Sequence, residues 1–383
     1  MMNHTFDHIN TPAYFYDTRL LQQTLDTILQ EVAKYPNYHV HYAMKANANP
    51  IVMDIIQKAG LGADCVSGGE VQRAVETGFP ASKIVFSGVG KSDWEIRLAL
   101  QHDILCFNVE SAAELAVIDE IAASEKKIAR ICLRINPDVE AHTHTHIVTG
   151  LAENKFGIAL EDMMAVINQV QVSPNLQLLG LHFHIGSQIT DMQDFIDLCK
   201  RINDIQDQLN AIQIYPHIIN VGGGLGVDYQ APEENPIPDF QSYFAVFAEH
   251  LRLRDGQSLH CELGRSIVAQ CGSLITRVLY IKQSAEKQFA IVDAGMTELI
   301  RPALYGAYHH IDNLTSTAED KHLYDVVGPI CESSDIFASD LQLPTTKRGD
   351  ILAIRSAGAY GESMASCYNC RPLPKAYTDK DLD

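Results

Sequence analysis

Between Tyr38 and Glu262 the sequence repeats one pattern: a short apolar run, then a longer stretch with apolar residues at helical spacing. The strand segments expected are Tyr38–Tyr42, Ala63–Val66, Ile84–Ser87, Ile104–Asn108, Ile131–Ile135, Leu178–His184, Ile218–Val221 and Ser258–Glu262. Helices are expected at Ile51–Ala59, Gly69–Glu76, Asp93–Gln101, Ser111–Ala123, Leu160–Val170, Met192–Leu209 and Phe240–Leu253. Such alternation argues for a parallel sheet covered by helices. Eight strands in about 230 residues meets the requirement of a closed barrel of eight βα units. An open doubly wound sheet is the rival, but the Gly-rich turn Gly222-Gly223-Gly224-x-Gly226 lacks the dinucleotide-binding spacing.

After about Arg265 the texture changes. Leu274–Gln283, Phe289–Asp293, Tyr324–Val327 and Ile351–Ile354 are β-rich with little helix between them. The expected fold is a TIM-type α/β barrel plus a C-terminal mostly-β domain. The expected domains are 18–265 and 266–383, with the strand in residues 1–17 (Thr11–Asp17) joining the latter.

Of the 383 residues 46% are hydrophobic and 20% charged, enough for a large core. The net charge of −19, with no basic block, opposes binding to nucleic acid or an anionic membrane. No apolar run approaches the ~18 residues of a membrane span. The opening residues lack a basic and then apolar leader, and nine scattered cysteines do not read as a disulfide framework. A cytoplasmic location is expected.

The polar clusters fall at the C-terminal ends of the expected strands, the face on which barrels carry their sites. Lys45 follows the first strand, in Tyr42-Ala43-Met44-Lys45-Ala46-Asn47. His184 ends the sixth, Gly222-Gly223-Gly224 follows the seventh, and Glu262-Leu263-Gly264-Arg265 ends the eighth. Glycines there expose backbone N–H groups to an anion, and Arg265 adds charge. One lysine, one flat histidine, one carboxylate and a phosphate nest suit pyridoxal phosphate. That cofactor needs a Schiff-base lysine and a carboxylate partner for its pyridinium nitrogen. Taken singly, each has a bland alternative: a strand-capping lysine, a core histidine, an ordinary tight turn.

Together with His184-Ile185-Gly186-Ser187-Gln188, these segments resemble the fold type III pyridoxal-phosphate decarboxylases. Within them the C-terminal half is similar to the diaminopimelate decarboxylase family. The motifs are Val292-Asp293-Ala294-Gly295-Met296, Arg301-Pro302-Ala303-Leu304-Tyr305-Gly306, Gly328-Pro329-Ile330-Cys331-Glu332-Ser333-x-Asp335 and Gly358-Ala359-Tyr360-Gly361. They run in family order between about residues 11 and 374.

The resemblance implies pyridoxal 5'-phosphate on Lys45, with His184 on its ring and Glu262 at its nitrogen. It implies a phosphate site of Ser187, Gly224, Gly264, Arg265 and Tyr360, with Gly222 and Gly223 also against the cofactor. Arg265 and Arg301, with Tyr305 and Tyr360, would hold substrate carboxylates. Cys331 would donate a proton after CO2 leaves, and Glu332 would receive the distal ammonium. In the family these last two come from the partner subunit, which implies a homodimer. The activity implied is decarboxylation of meso-2,6-diaminopimelate to L-lysine and CO2, the last step of lysine synthesis. A polyamine-branch decarboxylase acting on ornithine, arginine or a carboxypolyamine is the alternative; that branch more often shows Cys-Asp where this chain has Cys331-Glu332. A pyridoxal-phosphate carrier or inactive homologue is a third reading, which the presence of both Lys45 and Cys331 opposes.

No metal is expected. His142-Thr143-His144-Thr145-His146 resembles the family's loop before Gly150 rather than a zinc site, and Cys367-x-x-Cys370 is half of a zinc or redox signature. The family more often has asparagine at the position of Cys367. The tail departs as well: longer family members continue beyond the equivalent of Pro374 with a further strand and helix.

Overall fold

The computed structural model describes residues 6–139 and 155–382. The strands are β1 (Ala13–Tyr16), β2 (Tyr38–Ala43), β3 (Gly62–Cys65), β4 (Ile84–Phe86), β5 (Cys106–Val109), β6 (Ala129–Arg134), β7 (Leu176–His182), β8 (Ile218–Asn220) and β9 (Ser258–Leu263). They continue with β10 (Gly272–Gln283), β11 (Gln288–Val292), β12 (Ile311–Asn313), β13 (Lys321–Val327), β14 (Ile336–Pro344), β15 (Ile351–Ile354) and β16 (Lys375–Thr378). The chain divides into two compact units.

One unit, residues 25–226 and 239–264, is a closed parallel barrel in the order β2 to β9, sealed by β2 pairing with β9. The eight strands match the eight expected within a few residues. β3, β4, β5 and β8 are buried along their whole length, the state of a strand with helices outside and packed side chains inside. Polar caps start the helices at the C-terminal ends of strands. Asn49 caps Pro50–Lys58, Ser67 caps Gly68–Thr77 by accepting from the Glu70 N–H, and Ser111 does the same for Ala112–Glu125. Each such cap contributes about 1 kcal/mol. Outside the barrel, Phe195 of Met192–Ala211 packs edge-on to Tyr243 of Phe240–His250, with ring centroids 5.1 Å apart.

The second unit holds residues up to 24, 227–238 and from 265 onward. Its sheet runs β12-β15-β10-β11-β13-β14, with β1 antiparallel to β10 and β16 parallel to β1. Residues after Pro374 therefore carry a strand of their own, held further by Thr18 donating from N and Oγ1 to Asp379 Oδ1 at 2.9 and 2.6 Å. β14 was not expected, because its alternation is interrupted at Asp340, where φ is 51°. The loop after β13 is drawn in by Asp335, which accepts from the N–H groups of Met296 and Ile330 at 2.6 and 2.7 Å. A Cβ at Gly328 would lie 2.3 Å from that carboxylate, so only glycine fits there.

Candidate active site

Lys45 sits in a single 3-10 turn, Met44–Ala46, directly after β2. The turn is stapled by Tyr42, whose hydroxyl donates to the Asn47 carbonyl at 2.8 Å, and by Asn47 Oδ1, which accepts from the Asn49 N–H at 2.8 Å. Lys45 is exposed, and its charge is felt by two acids and an imidazole. It draws down the carboxyls of Asp64 and Glu70, both of which burial raises, and together with burial and Arg134 it keeps His184 uncharged.

Glu262 lies on β9, in register with His41 on β2. Its carboxylate is buried and takes three donors: Asn220 Nδ2 at 2.7 Å and Asn108 Nδ2 at 3.0 Å on Oε1, and His182 Nε2 at 2.9 Å on Oε2. Burial acts to raise this carboxyl; His182, then His41 and the Asn220 hydrogen bond, more than offset it and hold Glu262 below the ordinary carboxylate range. The network extends sideways, since Asn108 Nδ2 also donates to Ser87 Oγ at 2.9 Å and Ser87 donates to Asp64 Oδ1 at 2.9 Å. Asp64, unlike Glu262, is raised well above its usual range by burial and by the Glu262 charge.

His184 lies two residues beyond the end of β7, where the sequence pattern placed it inside the strand. The extra freedom of a loop position lets its Nδ1 accept from the Gly223 N–H at 3.2 Å, which leaves the proton on Nε2. Gly222 has φ 68°, and a Cβ on Gly223 would come within 2.1 Å of the Glu262 carbonyl, so this turn admits no side chain. Ser187 lies in the loop after β7, and Gly264 follows β9 directly.

In the β-rich unit Arg265 and Arg301 are both buried and share two tyrosine rings. Arg265 lies 5.9 Å from the Tyr229 centroid and 4.9 Å from that of Tyr360; Arg301 lies 5.8 and 5.9 Å from the same two, and 5.8 Å from Tyr305. Arg265 Nη1 donates to the Tyr229 hydroxyl at 2.5 Å. Burial and the neighbouring Arg265 charge lower Arg301, and its Nε has no hydrogen-bond partner among the described residues. Two guanidinium groups this close repel unless an anion joins them. A cluster of this kind can accept an anion. Cys331 and Glu332 occupy an exposed loop of the same unit, where the Cys331 N–H donates to Asn369 Oδ1 at 3.2 Å and the Tyr368 hydroxyl donates to Glu332 Oε1 at 2.6 Å.

Thus Lys45, Glu262, His184 and Gly222–Gly224 gather in the barrel unit, and Arg265, Arg301, Tyr305 and Tyr360 gather in the other. His182, Asn108, Asn220 and Tyr229 went unread in the sequence. The signal for three of them was a polar side chain at the end of an otherwise apolar buried strand, which demands a partner. The His142, His144 and His146 loop lies outside the described residues. Among the described residues no group of three or more ligating side chains gathers for a metal.

The fit to pyridoxal phosphate can be tested on Glu262. A carboxylate kept anionic in the interior can retain a proton on a pyridinium nitrogen, whereas a neutral acid cannot, and Glu262 is held anionic. Fold and site place the chain among the pyridoxal-dependent decarboxylases, and the family model described as pyridoxal-dependent decarboxylase, pyridoxal binding domain, matches residues 21–269. Full-length relatives narrow the class. The chain is 62% identical over 377 residues to the diaminopimelate decarboxylase of Bacteroides thetaiotaomicron, covering 98% of this chain and 97% of that one. To a diaminopimelate decarboxylase of Helicobacter pylori it is 44% identical over 368 residues, covering 96% and 90%. The crystal structure of a Helicobacter pylori diaminopimelate decarboxylase complexed with L-lysine superposes with a TM-score of 0.91 at 42% identity, covering 97% and 92%. This chain belongs to the diaminopimelate decarboxylase family.

Proposed function

We propose that the chain decarboxylates meso-2,6-diaminopimelate to L-lysine and CO2, the last step of lysine synthesis, with pyridoxal 5'-phosphate as cofactor. When bound, that cofactor supplies the sink for the electron pair left as CO2 departs. The roles proposed for this chain's residues are those the family resemblance implies. Lys45 holds the cofactor through its amine, and Glu262 keeps the ring nitrogen protonated. His184 presents a neutral imidazole face to the ring. Ser187, Gly224, Gly264, Arg265 and Tyr360 bind the phosphate, with Gly222 and Gly223 also against the cofactor. Arg265, Arg301, Tyr305 and Tyr360 hold substrate carboxylates, for which a guanidinium offers paired donors. Cys331 returns a proton to the α-carbon, and Glu332 receives the distal ammonium.

The assignment extends to the assembly and the cell. Cys331 and Glu332 act in the site of the other subunit of a homodimer, and the enzyme works in the cytoplasm. The domain division proposed is 18–265 and 266–383, with the N-terminal strand on the latter, although residues 18–24, 227–238 and Arg265 group with the β-rich unit by compactness. Among the described residues no helix is long and apolar enough to cross a membrane.

The observation that carries the substrate is Arg301, a buried cation beside Arg265 whose Nε has no hydrogen-bond partner among the described residues. Diaminopimelate brings a second carboxylate to such a group, and the diamine precursors of the polyamine branch do not. Steady-state CO2 release from meso-diaminopimelate, ornithine and arginine tests it. Fastest turnover is expected with meso-diaminopimelate; faster release from ornithine would overturn the assignment.

A further inference from the structure

Cys367 and Cys370 have no part in the proposed reaction, yet the two residues between them touch it. None of the nine cysteines is in a disulfide; six are buried, and Cys331, Cys367 and Cys370 are exposed. Burial pushes the thiols of Cys199, Cys261 and Cys271 up to about 12, so the reactive thiolate is scarce in the interior. Oxidants are thereby directed to the three exposed thiols.

Those three lie in one neighbourhood. Tyr368–Cys370 is a short 3-10 turn, kinked at Asn369, that begins from Cys367. Such a turn brings the Cα atoms of residues three apart to within about 7 Å, at the edge of the roughly 4.4–6.8 Å range of a disulfide. Asn369 and Cys370 both have left-handed backbone, with φ 54° and 57°. Two hydrogen bonds hold the turn in that form: Tyr368 to Glu332, and the Cys331 N–H to Asn369. Moving Cys367 toward Cys370 therefore shifts the groups that orient Glu332 and Cys331.

We propose that Cys367 and Cys370 form a dithiol modification site, which small disulfides oxidise to an intramolecular disulfide that loosens the hold of Tyr368 and Asn369 on Glu332 and Cys331. One thiolate attacks a sulfur of the small disulfide, forming a mixed disulfide and releasing one small thiol. The second thiolate attacks that mixed disulfide, closes the Cys367–Cys370 bond and releases the other small thiol. Two protons and two electrons pass from the protein to the oxidant, and dithiothreitol reverses the exchange. The effect on turnover rests on the roles proposed above for Cys331 and Glu332; the disulfide itself does not.

The test treats the holoenzyme with oxidised glutathione, alkylates remaining thiols after denaturation, and reads the mass of the fragment carrying both cysteines. The expected product has Cys367 and Cys370 protected together while Cys331 remains open to alkylation. CO2 release falls several-fold and recovers with dithiothreitol, and Cys370→Ser keeps basal turnover but loses the response. Free alkylation of Cys367 and Cys370, or glutathione retained on Cys331 alone, would overturn the site. Formation of the disulfide with unchanged turnover would overturn its link to Glu332 and Cys331. The mass readout stands whichever amino acid proves to be the substrate.

Discussion

His182 Nε2 lies 2.9 Å from Glu262 Oε2, and both side chains are buried at the C-terminal end of the barrel. The contact, with Asn108 and Asn220 on the other oxygen, keeps an acid ionised where burial alone would neutralise it.

Glu262→Gln removes that charge with little change of size, and its amide would face side chains that already donate. CO2 release should fall by about 100-fold or more, the scale on which lost electrostatic stabilisation is felt, while the fold is kept. Turnover within a few-fold of wild type would show that the ring nitrogen does not depend on Glu262. The stability that Glu262 adds is present above the ordinary carboxylate range and lost as pH falls through its depressed pKa.

Asp64 should behave in the opposite way. Burial and the Glu262 charge raise it, which favours its neutral form, and Asn is close to isosteric with that form. Asp64→Asn should change unfolding free energy by less than about 1 kcal/mol, whereas Ser87→Ala, which strands Asn108 and Asp64 together, should cost about 1–3 kcal/mol. Equal losses in denaturant titrations would mean that Asp64 is ionised.

A histidine pair on β2 and β9 sets the response to acid. His41 Nδ1 faces the Lys83 carbonyl at 3.0 Å and must donate to it, so His41 Nε2 accepts from His260 Nδ1 at 2.8 Å, and His260 Nε2 accepts from Ser258 at 3.0 Å. Burial pushes His41 down to about 4 and His260 to about 2. Both are depressed from 6.5, so their stability contribution is complete above pH 6.5 and is lost as pH falls toward 4. For His41 the loss is about 3 kcal/mol at pH 4. Unfolding free energy measured between pH 6.5 and 4 should lose about one proton of slope in His260→Asn; an unchanged slope would show that His260 is not held neutral in the folded protein.

The eight barrel strands were legible because each is a short apolar run bounded by turn residues, and Lys45 and Glu262 stood out at strand ends. Asn108 and Asn220 were not, because their partner is Glu262, 154 and 42 residues away, and only the closed barrel brings them together. Tyr229 sits in a segment with no periodicity, and its role shows only when Arg265 and Arg301 share its ring. His184 was assigned to a strand whose ladder stops at His182, since an apolar run alone does not mark where pairing ends.

Arg301→Met should separate function from stability. A buried cation whose Nε has no partner among the described residues costs stability, so this substitution should leave Tm unchanged or raise it. The KM for meso-diaminopimelate should rise about 10- to 100-fold, the equivalent of one lost charge-assisted contact. A fall in Tm with unchanged KM would make Arg301 a structural residue.

Mixing two inactive variants tests whether the site is shared. Lys45→Ala removes the amine proposed to hold the cofactor, and Cys331→Ala removes the proton donor proposed for the other subunit's site. Random re-association of equal amounts puts half the chains in mixed dimers. In each mixed dimer one site carries both lesions and the other carries neither. About a quarter of all sites should then be wholly native, so CO2 release should recover to about a quarter of the wild-type rate. If Lys45 and Cys331 acted within one subunit, every site in every dimer would carry one lesion and mixing would restore nothing. Size-exclusion chromatography on the same mixture shows that re-association has occurred, which makes a null result decisive against the shared site.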